Sequence, residues 1–237
     1  ESVHGSNFND IISDNNSDNT IIANDGNDII NANQGNDYID GGDGNDVIEG
    51  GSGNDILEGG SGDDILDGGA GKDTIVFDDS NTLISLSAEY DGVAQATGHG
   101  SDTIMTSSIE NVTTGDGNDT IEGNALDNIL NGGAGDDTLT GGYGDDTLTG
   151  GDGSDSFVLD AIFGDDTITD FDSSSDMIDL TAIVNADVTA NTNSDGDVTL
   201  TVEDSQGQQQ GTLTLEDVSL GDWNAMQDNI LLFNTGI

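Results

Sequence analysis

Along most of the chain one aliphatic position returns every nine residues. Ile12, Ile21, Ile30, Ile39, Ile48, Leu57, Leu66 and Ile75 form one run, and Val112, Ile121, Leu130, Leu139, Leu148 and Phe157 resume the step. A helical face would repeat at three and four residues, so this pattern is not helical. A three-residue strand followed by a Gly-rich turn, repeated at a fixed period, predicts a solenoid. One such unit cannot bury its aliphatic residue alone, so neighbouring units must stack. Two units complete a coil of 18 residues, which places each residue over the one 18 positions later. The expected fold class is all-β, a right-handed parallel β-roll or β-solenoid with a small β-rich C-terminal cap.

The regularity divides the chain. Residues 1–77 read as a first array whose opening coils are degenerate, with Phe8 and Ser17 where later units have Gly. Residues 78–112 interrupt it; persisting apolar strand positions favour wider coils over a plain linker, with Asp102-Thr103-Ile104 resembling a repeat end. Residues 113–157 form a second array. Beyond Phe157 the period fails, and residues 158–237 read as a cap. In that cap Val198–Val202 and Thr212–Leu215 alternate like half-buried strands around a hairpin loop at 207–211. Residues 217–227 suit one helical turn, and residues 230–233 a closing strand.

Charge changes the picture. Against 49 Asp and Glu stands one basic residue, Lys72, for a formal net charge of −48. That excludes a nucleic-acid partner, which needs Lys and Arg, and disfavours an anionic membrane surface. No apolar run reaches membrane-spanning length, so no membrane insertion is expected. Cys and Pro are absent, leaving no disulfide frame. The start, Glu1-Ser-Val-His, suggests a cut within a larger chain.

The acids carry the same period as the aliphatics. Asp28, Asp37, Asp46, Asp55, Asp64 and Asp73 are nine apart, as are Asp119, Asp137, Asp146 and Asp155 with Asn128 in the gap. The unit reads G-G-x-G-(N/D)-D-x-(I/L)-x. Stacked coils lie about 4.8 Å apart, and bare carboxylates at that distance repel. Calcium resolves the repulsion, because it takes six to eight oxygen ligands in flexible geometry whereas magnesium demands a strict octahedron. Carboxylates of two coils and turn carbonyls can supply those oxygens, with Gly44, Gly53, Gly62 and Gly135 bringing the backbone close. Zinc or copper would want His or Cys, and the only two His, His4 and His99, lie far apart. Pairs 18 apart, with Asp10 and Asn128 as weaker members, lead to about six to eight calcium ions. One aliphatic side chain per nine residues is too little burial to offset chain ordering, so calcium binding should drive folding.

These motifs resemble the RTX, or haemolysin-type, calcium-binding repeat of proteins exported by type I secretion. The resemblance covers residues 23–75 and 113–157. The segment 109–113 looks like a linker between such arrays, and residues 166–172 with 176–180 resemble the stretch that follows the last repeats. It implies a C-terminal domain that supports export and extracellular folding of a large protein, extracellular or on the bacterial cell surface, with the type I secretion machinery as partner during export. It also implies an export signal near residues 230–233, and a giant adhesin is one parent that suits the composition. Asn19, Asn128 and Leu126 depart from the motif and put their units in doubt. The alternative is a surface-binding module for glycan, host or ice. Its ligand rank would run through Thr103, Thr120, Thr138 and Thr147, but Ile11, Ile29, Tyr38, Val47, Ile56 and Ile65 hold the equivalent places in the first array. Those apolar residues could instead form a second surface for packing. No H-E-x-x-H or G-x-S-x-G motif is present, so the fragment is expected to be a monomer without catalytic activity.

Overall fold

The computed structural model describes residues 1–78, 81–225 and 230–231. It forms two compact units, Glu1–Asp116 and Gly117–Ile237, and in both the nine-residue period becomes a parallel β-roll.

In the first unit the strands fall alternately into two ladders. One pairs Ser2–His4, Thr20–Ile22, Tyr38–Asp40, Ile56–Glu58 and Thr74–Val76 in parallel. The other pairs Ile11–Ser13, Ile29–Asn31, Val47–Ser52 and Ile65–Ala70. Register advances by 18 residues at each step, as in Tyr38 on Ile56 and Val47 on Ile65. The middle residue of each strand points inward, so Ile21, Ile39, Leu57 and Ile75 form one buried file facing Ile30, Ile48 and Leu66. Period-2 alternation within a three-residue strand sends its first and third side chains outward.

Residues 78–112 keep the stacking while lengthening the coil. Ser101–Ile104 pairs in parallel with Ile65–Ala70, and Asn111–Thr113 with Thr74–Val76. The added chain forms a hairpin, with Val93–Ala96 antiparallel to Ser101–Ile104. The Gln95 side chain fixes it by accepting the Ser85 N–H at 2.6 Å and donating to the Ser85 carbonyl at 2.9 Å.

The second unit repeats the arrangement. Thr120–Glu122, Thr138–Thr140, Ser156–Val158, Met177–Asp179 and Ile230–Leu231 form one parallel ladder. Ile129–Ala134, Thr147–Asp152, Gly164–Ile168 and Gln209–Leu215 form the other. Past Phe157 the nine-residue step is lost, yet strand stacking is not: Ser156 lies on Met177 and Thr147 on Thr167. The cap extends the second ladder antiparallel, through Val198–Glu203 and Asp187–Thr192. The hairpin loop expected at 207–211 is shorter, because Gln209–Leu215 is all strand and Gly211 is buried within it. Phe157 and Phe171 pack with ring centroids 6.1 Å apart, and Trp223 is buried from helix Leu220–Ala225. Gln227 and the Leu232 and Phe233 part of the expected closing strand and export signal lie outside the described residues.

The outward positions form no single rank. Ile11, Ile29, Val47 and Ile65 are exposed on one sheet of the first unit, whereas Tyr38 and Ile56 lie on the other. Thr120 and Thr138 share a ladder, but Thr147 stands on the opposite one, paired with Thr167. Among the described residues no helix is long and apolar enough to cross a membrane.

Candidate metal centre

The repeat Asp sits where turn becomes strand, two residues before the buried aliphatic. That position turns its side chain inward between coils, and Asp28, Asp37, Asp46, Asp55, Asp64, Asp73, Asp119, Asp137, Asp146 and Asp155 are all at most 2% exposed.

Each carboxylate divides its oxygens between two tasks. Oδ1 of Asp46 accepts the backbone N–H of Asp28 at 2.7 Å, and Oδ1 of Asp64 accepts that of Asp46 at 2.8 Å. On the other ladder Asp55 accepts from Asp37 at 2.8 Å and Asp73 from Asp55 at 2.7 Å. In the second unit Asp137 accepts from Asp119 at 2.8 Å and Asp155 from Asp137 at 2.9 Å. Oδ2 of Asp28, Asp37, Asp46, Asp55, Asp64, Asp73, Asp137, Asp146 and Asp155 is buried with no hydrogen-bond partner. A buried, ionised oxygen without a partner costs several kcal/mol, so a row of them at a constant pitch implies a ligand.

The turn glycines shape the space around these oxygens. A Cβ on Gly41 would lie 2.5 Å from Oδ2 of Asp46 and 2.6 Å from the Gly59 carbonyl oxygen. On Gly50 it would meet Oδ2 of Asp55 at 2.6 Å and the Gly68 carbonyl oxygen at 2.8 Å. A carboxylate oxygen and a carbonyl oxygen of the next coil thus converge above the first Gly of the turn. Gly44 and Gly62, both at φ +141°, adopt a backbone that L side chains rarely take, and a Cβ there would overlap the carbonyl oxygen 18 residues earlier. Gly53 and Gly135 hold equivalent places.

Burial holds these carboxyls above their usual range. Desolvation raises Asp46, Asp73, Asp137 and Asp146 to about 6 and Asp64 to about 7, and hydrogen bonds from the preceding Asp or Asn backbone only partly oppose it. Asp37, Asp55 and Asp155 are raised for the same first reason. No three His, Asp or Glu side chains converge among the described residues, so backbone carbonyls are needed to complete a ligand set. Oxygen-only donors of this kind fit a hard divalent cation and not zinc or copper.

The profile of the RTX calcium-binding nonapeptide repeat matches residues 4–39, 40–75, 106–125 and 122–157, together just over half of the 237 residues. The chain belongs to the RTX calcium-binding nonapeptide repeat family. Its repeats bind calcium, and the buried turn aspartates supply the anionic oxygens for it. Among solved structures, the chain is similar to the AlgE6R3 subunit of the Azotobacter vinelandii mannuronan C5-epimerase. Identity is 23% over 76% of this chain and 78% of that one, at a TM-score of 0.33. The AlgE6R2 subunit of the same epimerase is 22% identical over 68% and 94% of the two chains, with a TM-score of 0.36. The extracellular lipase LipA of Serratia marcescens is 20% identical over 98% of this chain but only 40% of the lipase, with a TM-score of 0.36. Comparison with curated proteins returns no match.

The two weaker candidates of this RTX chain differ from the rest. Asp10 donates its N–H to Asp28 Oδ1 at 2.7 Å, but its own Oδ2 accepts the Ser6 N–H at 2.6 Å and hydroxyl at 2.9 Å, which holds its carboxyl low. Asn128 keeps the backbone bond to Asp146 at 2.8 Å, while its amide exchanges hydrogen bonds with Asn124.

Four acids outside the period also join the files. Asp102 accepts the Asp64 N–H at 2.8 Å, Glu110 the Asp73 N–H at 2.8 Å, Asp166 the Asp146 N–H at 3.0 Å and Asp176 the Asp155 N–H at 3.0 Å. Their common signal is an acid two residues before a buried aliphatic, as in Asp166-Thr167-Ile168, whatever the distance from the preceding unit. The residue before each repeat acid builds a second, outer ladder of opposite sense. Oδ1 of Asn36 accepts the Asn54 N–H at 2.8 Å, and Asn54 accepts that of Lys72 at 3.0 Å. The (N/D)-D dipeptide therefore bonds backward with one side chain and forward with the other.

Proposed function

We propose that this chain is a calcium-folded RTX module of a type I-secreted protein, unfolded at low cytosolic calcium and folded on meeting calcium outside the cell. The row of buried, unpartnered Oδ2 atoms supports this reading most directly. Without a cation those charges oppose stacking of the coils; with one they join them. Ion binding and folding are then one free energy. The single basic side chain, Lys72, is exposed and cannot neutralise them internally. The proposed metal ligands are Asp28, Asp37, Asp46, Asp55, Asp64, Asp73, Asp119, Asp137, Asp146 and Asp155 with the turn carbonyls. The module is structural and carries no catalysis; any activity belongs to other parts of its parent protein, which works outside the cell or on its surface.

The test is a calcium titration followed by far-UV circular dichroism, with magnesium in parallel. A cooperative coil-to-strand transition in calcium that magnesium does not reproduce is expected. A chain with full strand signal in chelator overturns the coupling.

A further inference from the structure

We infer that Asp146 and Asp166 form an additional calcium site beyond the last nonapeptide repeat, where the roll meets its C-terminal cap. The inference rests on the calcium reading of the repeat turns. The family match ends at residue 157, and Asp166 follows Asp146 by 20 residues instead of 18. The longer coil nevertheless returns to register, with Thr147 on Thr167 and Leu148 on Ile168.

The local geometry is that of a repeat pair. The Asp146 N–H donates to Oδ1 of Asp166 at 3.0 Å, the bond that links successive repeat acids. Both residues are 1% exposed, and Oδ2 of each is buried with no hydrogen-bond partner. The turn glycine is kept as well: Gly164, at φ +71°, stands where a Cβ would overlap the Gly144 carbonyl oxygen, the relation Gly62 has to Gly44. Toward the repeats, Asp146 faces Asn128, whose amide is engaged with Asn124. Toward the cap, strand Gln209–Leu215 sets the buried Leu213 against Asp166 and continues the file without an acid. Asp166 is therefore the one further carboxylate that Asp146 meets along its ladder.

The parallel file supplies a contrast. Asp176, reached by a similarly lengthened coil, accepts the Asp155 N–H at 3.0 Å and the Ser175 hydroxyl at 3.2 Å through Oδ1, and the Asp172 N–H at 2.7 Å through Oδ2. Protein donors serve both of its oxygens. Of the two acids that end the files, only Asp166 keeps a buried oxygen for a cation. An ion held there joins the last repeat to the strand on which the cap is built, so that cap order depends on calcium.

The experiment compares the full chain with its D166N, D176N and D46N variants. Bound calcium is counted by equilibrium dialysis, and emission of the single tryptophan, Trp223 in the cap, is followed during calcium titration. Asn at 166 retains an oxygen for the Asp146 N–H and removes the charge. D166N is expected to bind one ion fewer and to raise the calcium midpoint of Trp223 emission about tenfold, as fewer charged ligands weaken a site. D176N should match the parent. D166N with the parental count and midpoint overturns the site. If D166N does not fold its cap, calcium anomalous scattering from crystals of the unmodified chain decides. A peak between Asp146 and Asp166 supports the site, and peaks along Asp28–Asp73 with none there overturn it. Loss of ions in D46N confirms that the repeat turns bind calcium, so failure of this site alone is distinguishable. A parent chain that binds no calcium overturns the repeat reading, and this site with it.

Discussion

Replacing Asp46 by Asn should have opposite effects with and without calcium. Asn keeps an oxygen to accept the Asp28 N–H, the 2.7 Å bond that aligns the two coils. It replaces Oδ2, buried beside Gly41 and the Gly59 carbonyl, with an uncharged NH2. In the metal-free fold Asp46 is a 1%-exposed carboxyl raised from 3.8 to about 6, mainly by desolvation. At neutral pH that shift corresponds to about 3 kcal/mol of strain in the ionised form, which Asn removes. In calcium the same change strips a charged ligand shared by the pairs Asp28/Asp46 and Asp46/Asp64, and the folding midpoint should rise about tenfold or more. The assay is far-UV circular dichroism, once as a calcium titration and once in chelator with rising sulfate, which favours compact states. D46N should need more calcium but less sulfate than the parent chain. An unchanged calcium midpoint, or a higher sulfate requirement, refutes the assignment of Oδ2 as a cation ligand.

Two further outcomes follow from the same geometry. In chelator, acid should partly replace calcium. A carboxyl raised on folding contributes stability fully below its unfolded value near 3.8 and loses it as pH climbs through the folded one, about 6 for Asp73, Asp137 and Asp146 and about 7 for Asp64. Strand signal should therefore increase as the chelated chain is taken from pH 8 to pH 4.5, and a fall over that interval contradicts the burial of these acids. Gly44→Ala should cost about 1–3 kcal/mol or more in calcium, measured by urea unfolding, since φ is +141° and the new Cβ would overlap the Gly26 carbonyl oxygen; a cost below that range refutes the close stacking of the turns.

Much of this molecule was legible because its contacts are translations of one another. Ile48 lies over Ile30 and Asp46 over Asp28 for one reason, an 18-residue coil. Wherever the period held, it placed core and acid files together. Where the coil lengthens, the period loses its hold: Asp102 and Asp166 enter the files at intervals of 38 and 20 residues, and only strand pairing shows it. Composition also could not separate Asp166 from Asp176, two acids in the same D-x-I setting, because the difference lies in which backbone N–H groups reach them.

The repeat by itself determined the parallel β-roll, its two opposed aliphatic files, the inward acids and the calcium chemistry of their turns, because a fixed period makes local spacing equivalent to spatial stacking. Only the tertiary structure decided how each carboxylate divides its oxygens between backbone and ligand, and which irregular acids extend the files. It also showed that Asp10 and Asn128 spend their side chains on neighbours, Ser6 and Asn124. Those outcomes depend on donors within about 3 Å, a distance that neither period nor composition encodes.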